Sequence, residues 1–395
     1  MRILIIGGTR FIGPPVVRYL YAQGHNITLF HRGQTRAETL PGVQEMLGDR
    51  RPLAPHARDL QRLAPDVVLD MTPVIEQDAR EIMNTFTGIA RRVVAISSQD
   101  VYRAYGRVNR TEPGPPDPVP LTEDAPLREK LYPYRGETPR APDNPGRWND
   151  DYDKILVERH VMGDPKLPGT ILRLPMVYGP GDYQHRLFPF LKRIDDRRPA
   201  ILLGEDEARW RWTHGYVENV ASAIALAVTD ERASNRIYNV GEADAFTMAE
   251  WIGKVAQFAR WGGKTVAVPA DHLPAHLAEE IDTHQHLVTD STRIRQELGY
   301  NEPIPLDEAL KRTIEWERAN PPAVIDAKQF DYAAEDAVLA ALDQKHPRVA
   351  QRGVFCRSHA YPPKLPPQRS LDGILPGGDI FAIKQGESYD ASFLQ

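Results

Sequence analysis

The stretch RILIIGGTRFIGPPVVRYL, Arg2 to Leu20, constrains the fold more than any other part of the chain. A short apolar run ends in two glycines and gives way to a helical pattern, so it reads as a buried strand, a tight turn and a helix. Gly7 and Gly8 permit the turn, and Gly13 lets the helix pack closely on the strand. The backbone N–H groups of Thr9, Arg10, Phe11 and Ile12 then gather at a helix N-terminus, where a pyrophosphate can bind. A glycine pattern alone is weak evidence; with the strand before it and the helix after it, it predicts a dinucleotide-binding unit.

The rest of the first half repeats that alternation. NITLFHR, VQEMLGD, DVVLDMT and RRVVAISS are short apolar runs, and the amphipathic QDAREIMNTFTGIA lies between two of them. This rhythm predicts an α/β fold, a Rossmann-type doubly wound parallel sheet. From Tyr102 to Gly146 the pattern dissolves into a proline-rich excursion that forbids regular elements and reads as a lid or binding loop. Strands resume at GTILRL, and helical patterns return at VENVASAIALAV, TMAEWIGKVAQFA and LDEALKRTIEWERAN. The expected organisation is a dinucleotide-binding domain over residues 1–165, including the loop 102–146. Residues 166–320 complete the sheet and form a smaller substrate lobe, and residues 321–395 form a C-terminal extension that wraps the parent domain or a neighbouring subunit.

Composition narrows the function classes. Apolar residues make up 41% and charged residues 26% of the chain, which fits a soluble globular protein and excludes a disordered or fibrous one. A net charge of -5 gives no global attraction to nucleic acid or to an anionic membrane. The single cysteine, Cys356, allows no intrachain disulfide. No apolar run approaches a membrane span or a signal-peptide core. A cytoplasmic protein with no membrane partner is expected. His272, His276, His284 and His286 lack acids or cysteines at ligand spacing, so no metal site is expected.

The second strand bears on which dinucleotide is bound. Selectivity for NAD usually places Asp or Glu at its end, about 20 residues past the glycines. Here the strand ends in ITLFHRG, with His31 and Arg32 in that place and Arg10 inside the glycine turn. Arginines there can form charge-assisted bonds to a 2'-phosphate, so NADP is expected, with NAD as the alternative.

The segments GGTRFIG, LGD, AISSQDVY, KILVE, LRLPMVYGPGD, RWRWTHGYVENVASAIALAV, IYNVGE and LGYNEPIPLDEALKRTIEW follow one another in the order of a known family. The chain resembles an extended short-chain dehydrogenase/reductase of the NAD-dependent epimerase/dehydratase type, from Met1 to about Asn320. The form GGTRFIG is more like an atypical branch that includes chloroplast stem-loop-binding proteins. The resemblance implies that Asp49 contacts adenine, that Pro175 lines the cofactor cleft, and that a serine, a tyrosine and a lysine share the chemistry. Ser98 and Lys154 match the serine and the lysine.

The tyrosine does not match. Four residues before Lys154, where the family has its phenol, stands Asp150, and Tyr152 is only two residues away. On an ideal helix Tyr152 would face about 200° from the lysine. An Asp150 on the same face as Lys154 would have a depressed pKa and accept a proton more readily than donate one. A phenol can still arrive in two ways: from Tyr152, if the helix starts late, or from Tyr134 in the long loop. A site without a phenol is the third possibility.

The resemblance also implies substrate contacts from Arg211 and His214 in RWRWTH, with Arg186 assisting, since a bidentate arginine suits phosphate or carboxylate. Met176 replaces the asparagine that commonly precedes VYGPG in sugar-nucleotide members. Two functions fit: an NAD(P)-dependent oxidoreductase, epimerase or dehydratase acting on a small anionic polyhydroxy substrate such as a nucleotide sugar, or a non-catalytic dinucleotide-binding protein that serves as an RNA-binding or assembly factor. The acidic balance disfavours nucleic acid, and a homo-oligomer, a dimer, is expected.

Overall fold

A computed structural model describes residues 1–35, 40–141, 143–144, 146–278 and 280–345. Its centre is a seven-stranded parallel sheet, made of β1 (Arg2–Ile6), β2 (Asn26–His31), β3 (Gln44–Leu47), β4 (Val67–Asp70), β5 (Arg92–Ser98), β6 (Gly169–Leu174) and β10 (Arg236–Asn239). The strand order is β10-β6-β5-β4-β1-β2-β3, so the winding reverses beside β1, where β1 pairs with both β2 and β4. The carboxyl ends of strands at such a reversal open a crevice for ligand.

Successive residues of a strand face opposite sides of a sheet, and β1 shows both sides to be buried. Ile3 and Ile5 join one core, with Val16 and Leu20 of the helix Gly13–Ala22 and Val220 and Ile224 of the helix Val217–Thr229. Leu4 and Ile6 join the other, with Ile82 and Phe86 of the helix Glu76–Phe86 and Val157 and Val161 of the helix Lys154–Gly163. Burial on both faces is why β1, β4 and β5 read as continuous apolar runs rather than alternating ones.

The second lobe is built on two short parallel pairs. β7 (Met176–Tyr178) pairs with β9 (His214–Tyr216), and β8 (Ala200–Gly204) pairs with β11 (Lys264–Val268). The proline-rich excursion is not wholly irregular: a helix spans Arg103–Val108, a stretch that precedes the first proline of the loop at Pro113. The loop is tied to the second lobe. Leu121 N donates to Val288 O at 2.7 Å, and Asp117 N donates to Gln285 Oε1 at 2.6 Å.

Of the C-terminal extension, a helix over Tyr332–Lys345 packs on the second lobe. Glu335, fully buried, accepts from Arg193 Nη2 at 2.7 Å and lies 3.1 Å from His276 Nε2. The proline-rich run beyond Lys345 lies outside the described residues. Among the described residues no helix is long and apolar enough to cross a membrane.

Candidate active site

The glycine turn leaves β1 with Gly7 at φ +84° and Gly8 at φ +82°, a backbone that side chains adopt only with strain. Gly13 is required by proximity instead. A Cβ there would stand 2.2 Å from the Gly8 carbonyl oxygen, far inside van der Waals contact. Thr9, at the turn, lines a cavity together with His31, Arg32, Thr35, Arg50 and Thr72. Phe11, at φ +44°, turns its ring edge-on to Tyr183 at 6.2 Å, and Ile12 supplies the N-cap of the helix Gly13–Ala22. Cradle and cavity fit the pyrophosphate and adenosine half of a dinucleotide.

At the end of β2, His31 is buried. Its Nδ1 accepts from Gly33 N at 3.1 Å, and its Nε2 lies 3.3 Å from Glu45 Oε2. Arg10 Nε donates at 2.7 Å to Oγ1 of Thr35, a residue that lines the cavity with Arg32. Asp49 is exposed and accepts from Arg51 N at 2.9 Å.

The next residue, Arg50, passed unnoticed in sequence. It is buried and grips Asp70 at the end of β4 through both Nη atoms, at 2.6 and 2.8 Å, and it donates to Thr72 O at 2.7 Å. Asp78 lies below it, 3.4 Å from Arg50 Nε, and is also held by Arg51 at 2.7 and 2.5 Å. Burial pushes the Asp78 carboxyl up, but the two guanidiniums outweigh it and hold the group down to about 2. The signal was present in DVVLDMT: an acid that closes a fully apolar strand needs a cation.

The residues matched to the family serine and lysine, Ser98 and Lys154, lie at the end of β5 and beyond it. The helix that follows the long loop begins at Lys154, with Asp153 as its N-cap. Asp150 therefore stands in a separate 3-10 turn, Arg147–Asp150, and not on the helix face of Lys154. This departs from the expected acid–lysine pair at spacing four. Buried Asp150 is instead bonded to the Arg140 guanidinium, accepts from Arg140 N at 2.6 Å, and lies 3.5 Å from Arg147. It anchors the long loop. Asp153 does the same on its other side, accepting from Tyr132 N at 2.7 Å.

Because the helix starts late, Tyr152 is free of it and turns inward. Its hydroxyl donates to Asp100 Oδ2 at 2.8 Å, and that of Tyr134 donates to the same oxygen at 3.2 Å. The two rings are 5.1 Å apart. Both phenols considered in sequence thus arrive together, on a carboxylate that the sequence reading had not singled out. Burial, and then the Asp100 charge, raise the Tyr152 phenol well above its ordinary value. Ser98 accepts from Asp100 N at 3.2 Å and caps the turn after β5. Lys154 is buried; its Nζ donates to Pro73 O at 2.6 Å and to Ile96 O at 3.1 Å. Desolvation pulls the ammonium down to about 8, against the opposing charges of Asp100, Asp70 and Asp78.

Pro175 sits between β6 and β7, where a Cβ on Gly215 would stand 3.0 Å from its ring. The other sequence candidates lie in structural settings. Arg186 is spent on its own turn, donating to Asp182 Oδ1 at 2.7 Å and Val177 O at 3.0 Å. His214 is buried and stacks on Trp251 at 4.1 Å, and desolvation lowers its imidazole to about 3, so it is neutral. Arg211 is half-exposed and donates to Ala245 O at 2.8 Å. Among the described residues no three His, Cys, Asp or Glu side chains converge as metal ligands.

Known proteins share this arrangement of strands. The model of the NAD dependent epimerase/dehydratase family matches residues 3–241. The chain is 25% identical to a UDP-N-acetyl-alpha-D-glucosaminuronate decarboxylase of Bacillus cytotoxicus, over 80% of this chain and 98% of that one. It is 25% identical to a 2'-dehydrokanamycin reductase of Streptomyces kanamyceticus, over 71% of this chain and 72% of that one. Among solved structures, the UDP-glucose 4-epimerase of Thermotoga maritima superposes with a TM-score of 0.61 at 17% identity, over 81% of this chain and 99% of that one. With the seven-stranded parallel sheet, the glycine cradle at its first strand and a family match over more than half its length, the chain belongs to the NAD-dependent epimerase/dehydratase family.

Proposed function

We propose that the protein is an NADP-dependent oxidoreductase of the epimerase/dehydratase type, acting on a small anionic polyhydroxy substrate such as a nucleotide sugar. The observation that carries this reading is the meeting of two phenols, a carboxylate and a buried lysine at the carboxyl ends of β4 and β5, beside the glycine cradle. Bound in this cleft, a nicotinamide dinucleotide supplies a hydride acceptor and donor. The chain's own residues would do the rest. The turn N–H groups hold the pyrophosphate, Lys154 holds the nicotinamide ribose, and the tyrosine–aspartate cluster handles the hydroxyl proton. The names of the relatives, a UDP-sugar decarboxylase among them, support the substrate class. The test is incubation with UDP-glucose, UDP-glucuronic acid or dTDP-glucose and oxidised cofactor, with products read by mass spectrometry. Conversion of none of them would refute the nucleotide-sugar substrate.

The cofactor preference has its own test. Arg32 and Arg10 at the cavity rim supply cations for a 2'-phosphate. Loss of one charge-assisted bond costs about 1.5–3 kcal/mol, so Arg32→Ala should weaken NADP(H) binding about ten- to hundredfold and leave NAD(H) nearly unchanged. Tighter binding of NAD(H) than of NADP(H) by the wild type would overturn the preference.

The lowered Lys154 adds a pH dependence. Below a pKa of about 8 the ammonium can donate to the ribose; above it the amine is neutral. Cofactor affinity should therefore fall as pH rises through about 8, and the fall should be absent in Lys154→Met. A binding constant that stays flat across that range would contradict the assigned role.

A further inference from the structure

We infer that Asp100 is the terminal proton acceptor of the site, reached through the Tyr134 hydroxyl, so that the proton is moved by a tyrosine–aspartate relay rather than by a tyrosinate paired with the lysine. This rests on the oxidoreductase reading and adds to it the route of the proton.

Three observations carry the inference. First, Asp100 is 8% exposed, and its Oδ2 accepts from two phenols at 2.8 and 3.2 Å, while its Oδ1, also buried, has no hydrogen bond among the described residues. A carboxylate in that setting retains capacity to accept. Second, both tyrosines donate to it, so both are neutral phenols in this arrangement. A phenol that still holds its proton cannot take another unless it passes its own onward. Third, the two phenols differ in access: Tyr152 is buried at 6% exposure, whereas Tyr134, on the long loop, is only half-buried, which makes it the better placed of the two to meet a ligand. Lys154 gives its protons to Pro73 O and Ile96 O, and Arg128 Nε donates to the Asp100 backbone oxygen at 2.5 Å, so neither cation makes a hydrogen bond to the carboxylate.

The carbon-bound hydrogen of a substrate carbinol leaves with its electron pair for the oxidised nicotinamide dinucleotide. The hydroxyl O–H bond breaks and its proton passes to Tyr134 Oη, while the proton already on Tyr134 passes to Asp100. The substrate is left as a carbonyl, Tyr134 as a neutral phenol and Asp100 as a carboxylic acid. In the reverse direction the same proton returns. Tyr152 keeps its donation to Oδ2 throughout and holds the carboxylate in place; it is a positioning residue.

The experiment has two arms. In the first, without substrate, tyrosine labelled at Cζ is incorporated and NMR spectra of the wild type and Asp100→Asn are compared, with Tyr134→Phe and Tyr152→Phe for assignment. Asn is isosteric, and its amide oxygen can accept from one phenol, so the fold should hold; the melting temperature checks this. The Tyr134 and Tyr152 resonances should move and the other tyrosines should not. Two resonances that stay in place would overturn the relay. In the second arm, turnover of UDP-glucose, UDP-glucuronic acid or dTDP-glucose is followed through the reduced cofactor. Asp100→Asn and Tyr134→Phe should each lower kcat about a hundredfold or more with KM and cofactor affinity within about threefold, and Tyr152→Phe should cost about tenfold. Asp100→Asn with kcat near that of the wild type would overturn the inference. A wild type inert on all three sugars would defeat the substrate reading alone, and Tyr134 and Tyr152 resonances unmoved in Asp100→Asn would still overturn the relay.

Discussion

Gly13→Ala is expected to weaken dinucleotide binding about a hundredfold or more, and to lower stability by about 1–3 kcal/mol. The added methyl would lie 2.2 Å from the Gly8 oxygen and 2.5 Å from its Cα, and every one of those atoms is backbone. No side chain can swing aside to make room. Either the helix Gly13–Ala22 moves outward or the turn at Gly7 and Gly8 opens, and in both cases the N–H groups proposed to hold a pyrophosphate lose their aim. A displacement of about 1 Å at a binding cradle is enough to cost a hundredfold. Fluorescence titration with NADPH, together with a thermal melt, checks both effects. A folded Gly13→Ala protein that binds NADPH within threefold of the wild type would show that the turn has slack.

The second large effect is expected at Arg173, which stands in the fully buried strand β6. It is 2% exposed; Nε and Nη2 reach Glu158 at 3.0 and 2.7 Å, and Nη1 donates to Tyr102 Oη at 3.0 Å and Glu123 O at 2.9 Å. Ser97 donates to the same Glu158 at 2.6 Å. Burial alone would lower the guanidinium pKa, yet the Glu158 carboxylate raises it. Arg173→Met would strand that carboxylate in the core at a cost of about 3–5 kcal/mol. In a chain of this size that corresponds to a melting temperature lower by about 4–6 °C. The double variant Arg173→Met with Glu158→Gln should recover part of the loss, because the uncompensated charge is removed. A single variant that melts with the wild type would mean that water already reaches Glu158.

What could be read from the sequence, and what could not, divides by range. The glycine turn, the apolar strands and the amphipathic helices are local patterns, and the structure has them where periodicity placed them, down to a strand at Gln44–Leu47 inside VQEMLGD. The helix Arg103–Val108 was hidden by the proline-rich character of the segment that follows it. Arg50 meets Asp70 twenty residues on, and Asp100 meets Tyr134 and Tyr152 from thirty-four and fifty-two residues away. Neither partner is implied by the residues beside it. Side-chain direction was equally invisible. The likeness of RWRWTH to a substrate-gripping motif says where the strand runs, and only the fold shows that His214 turns into an aromatic core against Trp251.

The helix that begins at Lys154 has a consequence for how such chains are recognised. A search pattern that asks for a tyrosine four positions ahead of a lysine measures one turn of a continuous helix. Reactivity depends on how groups meet in space, not on their spacing in sequence. Here the first turn is withheld by an Asp153 cap, and phenols enter instead from an extended residue and from a loop thirty-four positions from the carboxylate they meet. Catalogues of active members drawn up by that spacing would file such a chain among the inactive ones, and a filter based on phenol-to-carboxylate distance in folded coordinates would sort it differently.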